Sequence, residues 1–338
     1  MKKKVNKKLN GQISKYLGKI SKGKQELKKA VVGQDIMVNS LFRAIICDGH
    51  VLIEGVPGIA KTLLVKSFAA ITSTQFSRIQ FTPDLLPTDI VGITVYRDIT
   101  ANNKVDGSFA TIKGPIFGDF ILGDEINRSP PKVQSALLEA MQERQVTIGK
   151  TTFKMERPFF VLATQNPIES IGTYPLPAAE LDRFMFKLLI GYPKPEEEID
   201  ILEENMTIKD FSSFKLKPVI QKKEILEMQE LVQEIYLDDK IKKYIVRLTE
   251  ATRNPEKYNI KLGKYIDFGA SPRASISLFI AAKAEAFLHG KSYVVPEHVK
   301  TVAYDVMRHR ILVNYEGQSE NIKTEQIIDE ILAKVPIP

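Results

Sequence analysis

A chain of 338 residues is long enough for two domains, and 43% hydrophobic with 26% charged residues is an ordinary globular composition. Its single cysteine, Cys47, excludes an intramolecular disulfide, and four scattered histidines (His50, His289, His298, His309) offer no metal-ligand spacing. The net charge of +7 is unevenly placed: residues 1–29 hold eleven lysines and one glutamate, so the remainder of the chain is slightly acidic, at −3. A segment of this kind reads as a solvated, partly ordered extension rather than a nucleic-acid-binding body. No run of 18 apolar residues occurs, so no membrane span is expected. The basic N-terminus lacks the apolar core of a secretory signal, and a cytoplasmic location is expected.

Within residues 1–29, Ile13, Tyr16, Leu17 and Ile20 keep helical spacing and predict a docked helix. A second helix is expected over Asp35–Cys47, closed by Asp48-Gly49. Val51-Leu52-Ile53 then reads as a strand, stopped at Gly55 and followed by Val56-Pro57-Gly58-Ile59-Ala60, Lys61-Thr62 and a helix starting at Leu63. Strand, flexible loop, Lys-Thr and helix form the layout of a phosphate-binding loop. Loop N–H groups and the helix N-terminus face one point, and the helix dipole adds positive charge there. Lys61 would reach the β- and γ-phosphates, and the Thr62 hydroxyl would take one position on Mg²⁺. Ala60 stands where the general pattern has glycine. A left-handed conformation costs a non-glycine residue about 1–2 kcal/mol, so either Ala60 sits at ordinary negative φ or the match is accidental.

Arg78–Phe81 predicts a second strand. Leu85–Gly118 is rich in Gly, Pro, Asp and Asn, with a hairpin tip near Ala101-Asn102-Asn103; connections this long tend to be functional. Phe120–Gly123 predicts a third strand, ending in Asp124-Glu125. Ser129 reads as the N-cap of a helix with Pro131 in its first turn and Val133, Ala136, Leu137, Ala140 and Met141 on one apolar face. A hairpin turning near Gly149-Lys150 is expected within Gln145–Pro158. Phe159–Thr164 is a fourth, fully apolar strand running into Gln165-Asn166-Pro167, and Phe184–Ile190 a fifth. Gly191-Tyr192-Pro193-Lys194-Pro195 marks a boundary between an α/β core (30–192) and a helical domain (193–338). In the latter, helices are expected over Glu196–Asn205, Lys222–Ile235, Asp239–Arg253, Pro272–His289 and Pro296–Ile311.

In doubly wound sheets, ligands bind outside the carboxyl ends of the strands, and three strands end in suitable chemistry. The first ends in the phosphate loop. The third ends in adjacent carboxylates with separable tasks: Asp124 would hold Mg²⁺, mainly through water, and Glu125 would polarise an attacking water. The fourth ends in Asn166, able to orient that water or read the γ-phosphate. Arg273 sits in the first turn of a helix begun by Ser271-Pro272, against the helix dipole, a placement that a phosphate would offset. Arg183 precedes the last strand and is suited to neutralising phosphoryl-transfer charge, or else pairs with Asp182, Asp124 or another nearby carboxylate. Arg128 is a weaker candidate for nucleotide sensing or subunit contact.

The stretches Gly55-Val-Pro-Gly-Ile-Ala-Lys-Thr62, Gly123-Asp-Glu-Ile-Asn-Arg-Ser-Pro-Pro131, Gln134-Ser-Ala-Leu-Leu-Glu-Ala-Met-Gln-Glu-Arg-Gln-Val-Thr147, Ala163-Thr-Gln-Asn-Pro167 and Leu181-Asp-Arg-Phe184 closely resemble the MoxR family of AAA+ ATPases. The resemblance runs from about Val31 to the C-terminus and leaves the lysine-rich segment outside. Ala before the loop lysine is usual in that family, which favours the functional reading of Ala60. The resemblance implies a P-loop core with a helix-2 insert within Leu85–Gly118, a pre-sensor-1 hairpin within Gln145–Pro158 and an all-α lid. It implies that Asn166 is sensor 1, Arg183 an arginine finger acting in trans, and Arg273, in Gly269-Ala-Ser-Pro-Arg273, sensor 2. Val32-Gly33-Gln34 would lie near the adenine, and Gly55 through Leu63 would contact the nucleotide, with Thr62 and Asp124 on the metal. It further implies ATP and Mg²⁺ as cofactors, a hexameric ring, and chaperone-like remodelling of client proteins, often with a von Willebrand factor A domain partner. ATP would bind between core and lid, with Arg273 reporting on it from the lid. The alternatives are a nucleic-acid motor or transcription regulator, the ATPase subunit of a metal chelatase, and a non-hydrolysing scaffold, against which Glu125 argues.

Overall fold

Alternation along three short strands sets which way the central sheet faces. Val51 and Ile53, Phe120 and Leu122, and Phe160 and Leu162 point into one hydrophobic cluster; Leu52, Ile121, Val161 and Ala163 point into a second on the opposite face. This period-two division with both faces apolar is what a buried parallel sheet requires. The computed structural model describes residues 2–31, 33–55, 61–101, 104–166, 172–192, 195–196, 198–199 and 211–338, with backbone alone for 2–7, 97–101 and 104–108.

The chain opens with α1 (Lys2–Leu27) and α2 (Asp35–Ile46), then β1 (Val51–Gly55), α3 (Lys61–Ile71), β2 (Phe76–Gln80) and α4 (Pro87–Val91). A long antiparallel hairpin follows, β3 (Gly92–Ala101) and β4 (Lys104–Lys113), then β5 (Phe120–Asp124), α5 (Pro131–Glu143) and a short hairpin of β6 (Gln145–Ile148) and β7 (Thr151–Lys154). β8 (Phe160–Gln165), α6 (Ala178–Leu181) and β9 (Phe186–Ile190) complete the core. The five-stranded sheet has the order β2-β5-β8-β1-β9, with every pairing parallel. The five expected strands and both hairpins are therefore present; the expected helix over Glu196–Asn205 lies largely outside the described residues.

Beyond the core come α7 (Lys222–Glu234), α8 (Asp239–Arg253), β10 (Ile266–Phe268), α9 (Pro272–Leu288), α10 (Pro296–Met307), β11 (Leu312–Val313), α11 (Tyr315–Ser319) and α12 (Thr324–Lys334). The helical lid thus also carries a two-stranded antiparallel pair, β10 with β11, too short to leave a periodic signal. The lid shares one hydrophobic cluster with α1, α2 and α3. Arg43 of α2 fastens the two further, its Nε 2.6 Å from Glu285 Oε2 of α9 and its Nη1 3.3 Å from Asp305 Oδ2 of α10.

One cap agrees with expectation and one differs. α2 ends at Ile46 and is closed by Asp48-Gly49, Asp48 taking the left-handed conformation (φ 56°) and Gly49 N donating to Ala44 O at 3.1 Å. Gly49 is required for another reason: a Cβ there would lie 2.3 Å from Met185 Sδ. At α5 the N-cap is Pro130, while Ser129 is fully buried and its hydroxyl points to Ile126 O. The lysine-rich segment is packed as the helical spacing implied. Leu9, Ile13, Tyr16, Ile20 and Leu27 of α1 are buried in the main cluster, whereas Lys8, Lys15, Lys22, Lys28 and Lys29 face solvent.

Candidate active site

Lys61 begins α3 directly beyond the carboxyl end of β1, and its Nζ donates to Gly55 O at 2.7 Å. Gly55 itself lies against β9, where a Cβ would come within 2.5 Å of Ile190 O. Partial burial lowers the Lys61 pKa, opposed by the charges of Asp124 and Glu125. A half-buried ammonium facing two carboxylates is suited to an anion that arrives with its own cation. Thr62 and Leu63 follow in the first turn, both half-buried. Gly33 takes φ 70°; Val32, Val56, Pro57, Gly58, Ile59 and Ala60 lie outside the described residues.

Asp124 ends β5, and Glu125 turns out of it in the left-handed region (φ 58°). Such backbone costs a non-glycine residue about 1–2 kcal/mol and is held where the surroundings over-determine it. They do so here. Glu125 N donates to Thr164 Oγ1 at 2.8 Å, and that hydroxyl donates to Asp124 Oδ1 at 2.8 Å. The turn that follows is held by buried Gln134, whose Nε2 donates to Ile126 O, Ser129 O and Tyr174 O at 3.1, 3.0 and 2.9 Å. Neighbouring β2 adds two side chains: Arg78 Nη2 sits 2.7 Å from Asp124 Oδ2, and Gln80 Nε2 donates to Glu125 Oε2 at 3.2 Å. Arg128 Nη1 is 3.2 Å from Glu125 Oε2. Asn166 is buried just past β8, at this same end of the sheet.

Among the described residues no group of three or more His, Cys, Asp or Glu forms a metal cage. One strand-end carboxylate beside hydroxyls fits Mg²⁺, which keeps much of its water and takes its other ligands from phosphate.

Arg183 and Arg273 are not brought to this end. Arg183 precedes β9, whose first residue Phe186 is in register with Val51 at the start of β1. The two arginines line a cavity of about 310 Å³ at the amino edge of the sheet, with Asp48, Arg144, Met185 and Arg310. Five residues of strand, about 16 Å, separate that edge from Gly55 and Lys61. Arg273 lies 3.6 Å from Asp182 Oδ2 rather than over its own chain's Lys61. The expectation that Arg273 reads the nucleotide of its own subunit from the lid is therefore corrected: the lid docks against residues 182–187, at the opposite edge. Ser271 is its N-cap as expected, accepting from Arg273 N at 3.1 Å.

The arginines at this edge differ in their engagement. Arg144 donates to Asp48 O at 2.9 Å and Phe159 O at 3.0 Å, and Arg310 is ion-paired to Asp182 at 2.7 Å. Among the described residues no hydrogen bond or ion pair engages the Arg183 guanidinium. Asp182, its foremost candidate partner in the sequence, is occupied by Arg310, Ser271 and Arg273.

A parallel sheet ordered this way, with Lys61-Thr62 opening the helix that follows β1 and Asp124-Glu125 at the end of β5, across the intervening β8, defines the chain as an AAA ATPase. The profile of the ATPase family associated with various cellular activities matches residues 50–186, and that of the AAA lid domain residues 263–331. Chaperone MoxR1 of Mycobacterium tuberculosis is 45% identical over 93% of the chain and 81% of its own length. Protein YeaC of Bacillus subtilis is 43% identical over 94% of the chain and 95% of its own. The chain belongs to the MoxR family. A crystal structure of an assigned ATPase from Cytophaga hutchinsonii superposes with a TM-score of 0.89 at 46% identity, covering 98% of both chains. That coverage carries the likeness into the lysine-rich segment, which the motifs had left outside.

Proposed function

We propose that this protein hydrolyses ATP with Mg²⁺ at sites shared between copies of itself, and uses the turnover to remodel or mature partner proteins. The observation that carries the reading is Arg183, unpaired among the described residues and held at the sheet edge opposite Lys61, Asp124 and Glu125. Phosphoryl transfer needs positioned acids, a cation and an arginine on the transferring group. One chain supplies the first set at one end of its sheet, where Arg78 and Arg128 are engaged by Asp124 and Glu125, and Arg183 and Arg273 at the other, so a head-to-tail neighbour completes the site. Such heterologous contacts close into rings, and a hexamer is the ring we propose. Lys61 and the loop Gly55–Leu63 bind the phosphates, while Gly33 and Val32 flank the base. Thr62 and Asp124 hold the metal, which when bound neutralises phosphate charge. Glu125 orients the attacking water and takes its proton on a carboxylate oxygen; Asn166 aligns the same water. Arg183 and Arg273 act on the neighbour's nucleotide. A protein client, a von Willebrand factor A domain partner and a cytoplasmic location complete the proposal; its support is the MoxR membership and the absence, among the described residues, of a helix long and apolar enough to cross a membrane.

The test is complementation. Lys61→Ala should bind no nucleotide and Arg183→Ala should bind it but turn over slowly; mixing the two should restore ATP hydrolysis. A mixture no more active than its components would sink the shared-site reading. The Glu125→Gln protein, saturated with ATP, should retain a client or partner that the ADP-bound protein releases.

A further inference from the structure

The four residues around Arg183 are gripped by the lid to a degree that its packing does not demand. Arg310 follows α10 and is 2% exposed. Its Nε lies 2.7 Å from Asp182 Oδ1. Its Nη2 donates to Phe184 O at 2.7 Å and Asp182 O at 3.3 Å, and its Nη1 to Met185 O at 3.1 Å. His309 Nε2 donates to the same Phe184 O at 3.0 Å. From the start of α9, Ser271 Oγ donates to Asp182 Oδ2 at 2.8 Å, with Arg273 3.6 Å away. One step further on, Arg308 Nη1 donates to Lys187 O at 2.5 Å. Carbonyls and a carboxylate on both sides of Arg183 are thus bound to the lid, while the Arg183 side chain is left unpaired among the described residues.

A buried arginine–carboxylate pair is a poor stabiliser compared with an apolar replacement of the same volume. What a planar fork of five donors does well is to fix several acceptors in one geometry. From this juxtaposition we infer that Arg310, through Asp182 and the carbonyls of Asp182, Phe184 and Met185, is a positioning residue that ties Arg183 to the lid, so that the lid of one copy sets the arginine given to the next copy's nucleotide. The inference rests on the shared-site reading above. It adds the route by which a subunit's lid position reaches its neighbour: Ser271 and Arg273 at the start of α9 and Arg310 just after α10 move with those helices, and any shift of that pair against the core draws residues 182–185 with it. Arg310 touches no nucleotide of its own chain, because it lies at the amino edge of the sheet.

The test uses full-length protein with three readouts: a fluorescent ADP analogue for binding, steady-state ATP turnover, and turnover in mixtures. Arg310→Lys keeps a charge for Asp182 but loses the fork. Its nucleotide affinity and KM should stay within about twofold of wild type while kcat falls at least about tenfold. Mixed in equal amounts with Lys61→Ala, which retains an intact Arg183 and Arg310, it should regain turnover, since about a quarter of interfaces in a random ring then join an intact site to an intact arginine. Mixed with Arg183→Ala it should regain none. Unchanged kcat, weakened nucleotide binding, or failure to regain turnover with Lys61→Ala would each overturn the inference. Asp182→Asn removes the charge while keeping its shape and should behave in the same way; loss of the folded state in both variants would assign the network to stability alone and overturn it too. The mixture of Arg183→Ala with Lys61→Ala separates the two levels. Recovery there without recovery for Arg310→Lys removes only the positioning role, and no recovery there removes the shared site and the positioning role with it.

Discussion

The two ends of the central sheet hold their functional groups by different means. At the carboxyl end, side chains from three adjacent strands bind one another: Arg78 and Gln80 of β2, Asp124 of β5 with Glu125 beyond it, and Thr164 of β8. At the amino edge, side chains of the lid bind backbone carbonyls of the core, and among the described residues the Arg183 side chain is left out of the web. The first arrangement fixes acids within a rigid layer. The second lets an arginine follow a separate body. On the shared-site proposal the two ends are two half-sites, the acid half built for precision and the arginine half for response.

This comparison can be broken in four ways. Arg183→Ala should cost about 10³-fold or more in turnover, the range typical of an arginine acting on a transferring phosphoryl group, with nucleotide affinity unchanged in equilibrium titration. Glu125→Gln should lower turnover about 100-fold or more while retaining binding; ordinary turnover there would remove the acid half from the chemistry. Acid should weaken the amino edge. His50, buried beside β1, accepts from Val161 N through Nδ1, and burial holds its pKa down to about 3; burial depresses His309 in the same direction. Below pH 6.5 the unfolded chain takes up protons that the folded chain refuses, so stability falls as pH drops from 6.5 towards 3. For His50 alone the loss at pH 5 is about 2 kcal/mol, a factor of about 30 in the folding equilibrium. Urea titrations at pH 7.5 and 5 should show it, and His50→Gln should flatten that part of the slope. The smallest effect belongs to Gln80→Leu, which takes one amide donor from Glu125 and should slow turnover about tenfold with binding unchanged.

Much of this was legible in the residues themselves. A glycine-bearing loop before Lys61-Thr62, and carboxylates after an apolar run, place phosphate chemistry at strand ends because such strands are buried and their ends are where polar groups can emerge. The docking of α1 was legible from Ile13, Tyr16, Leu17 and Ile20, although Leu17 proves half-buried. What the sequence did not disclose depends on which strands are neighbours. Arg78 and Gln80 matter because β2 lies beside β5, and no local pattern encodes that order. Arg310 is one of two arginines in a short polar stretch, and its partner Asp182 is 128 residues away. Arg273 was identified correctly as a helix-start arginine, but the edge of the sheet on which its lid docks is a tertiary property. β10 and β11, of three and two residues, carry too few positions for alternation to register.

The first helix carries a further consequence. Its lysines give the chain its isoelectric point of about 9.1, and the opposite face of the same helix seals the interior: at Gly23 the backbone passes so close that an added methyl would lie 3.3 Å from Ile71 and 3.4 Å from Phe42. Basicity and closure are therefore a single inheritance. Trimming the chain at residue 30 would carry its charge from positive to negative and at the same stroke unroof the apolar bed formed by Phe42, Ile71 and Ile220. For this molecule, acidic and well-closed are not available together by truncation; the charge can be changed only by replacing lysines one at a time on the outward face.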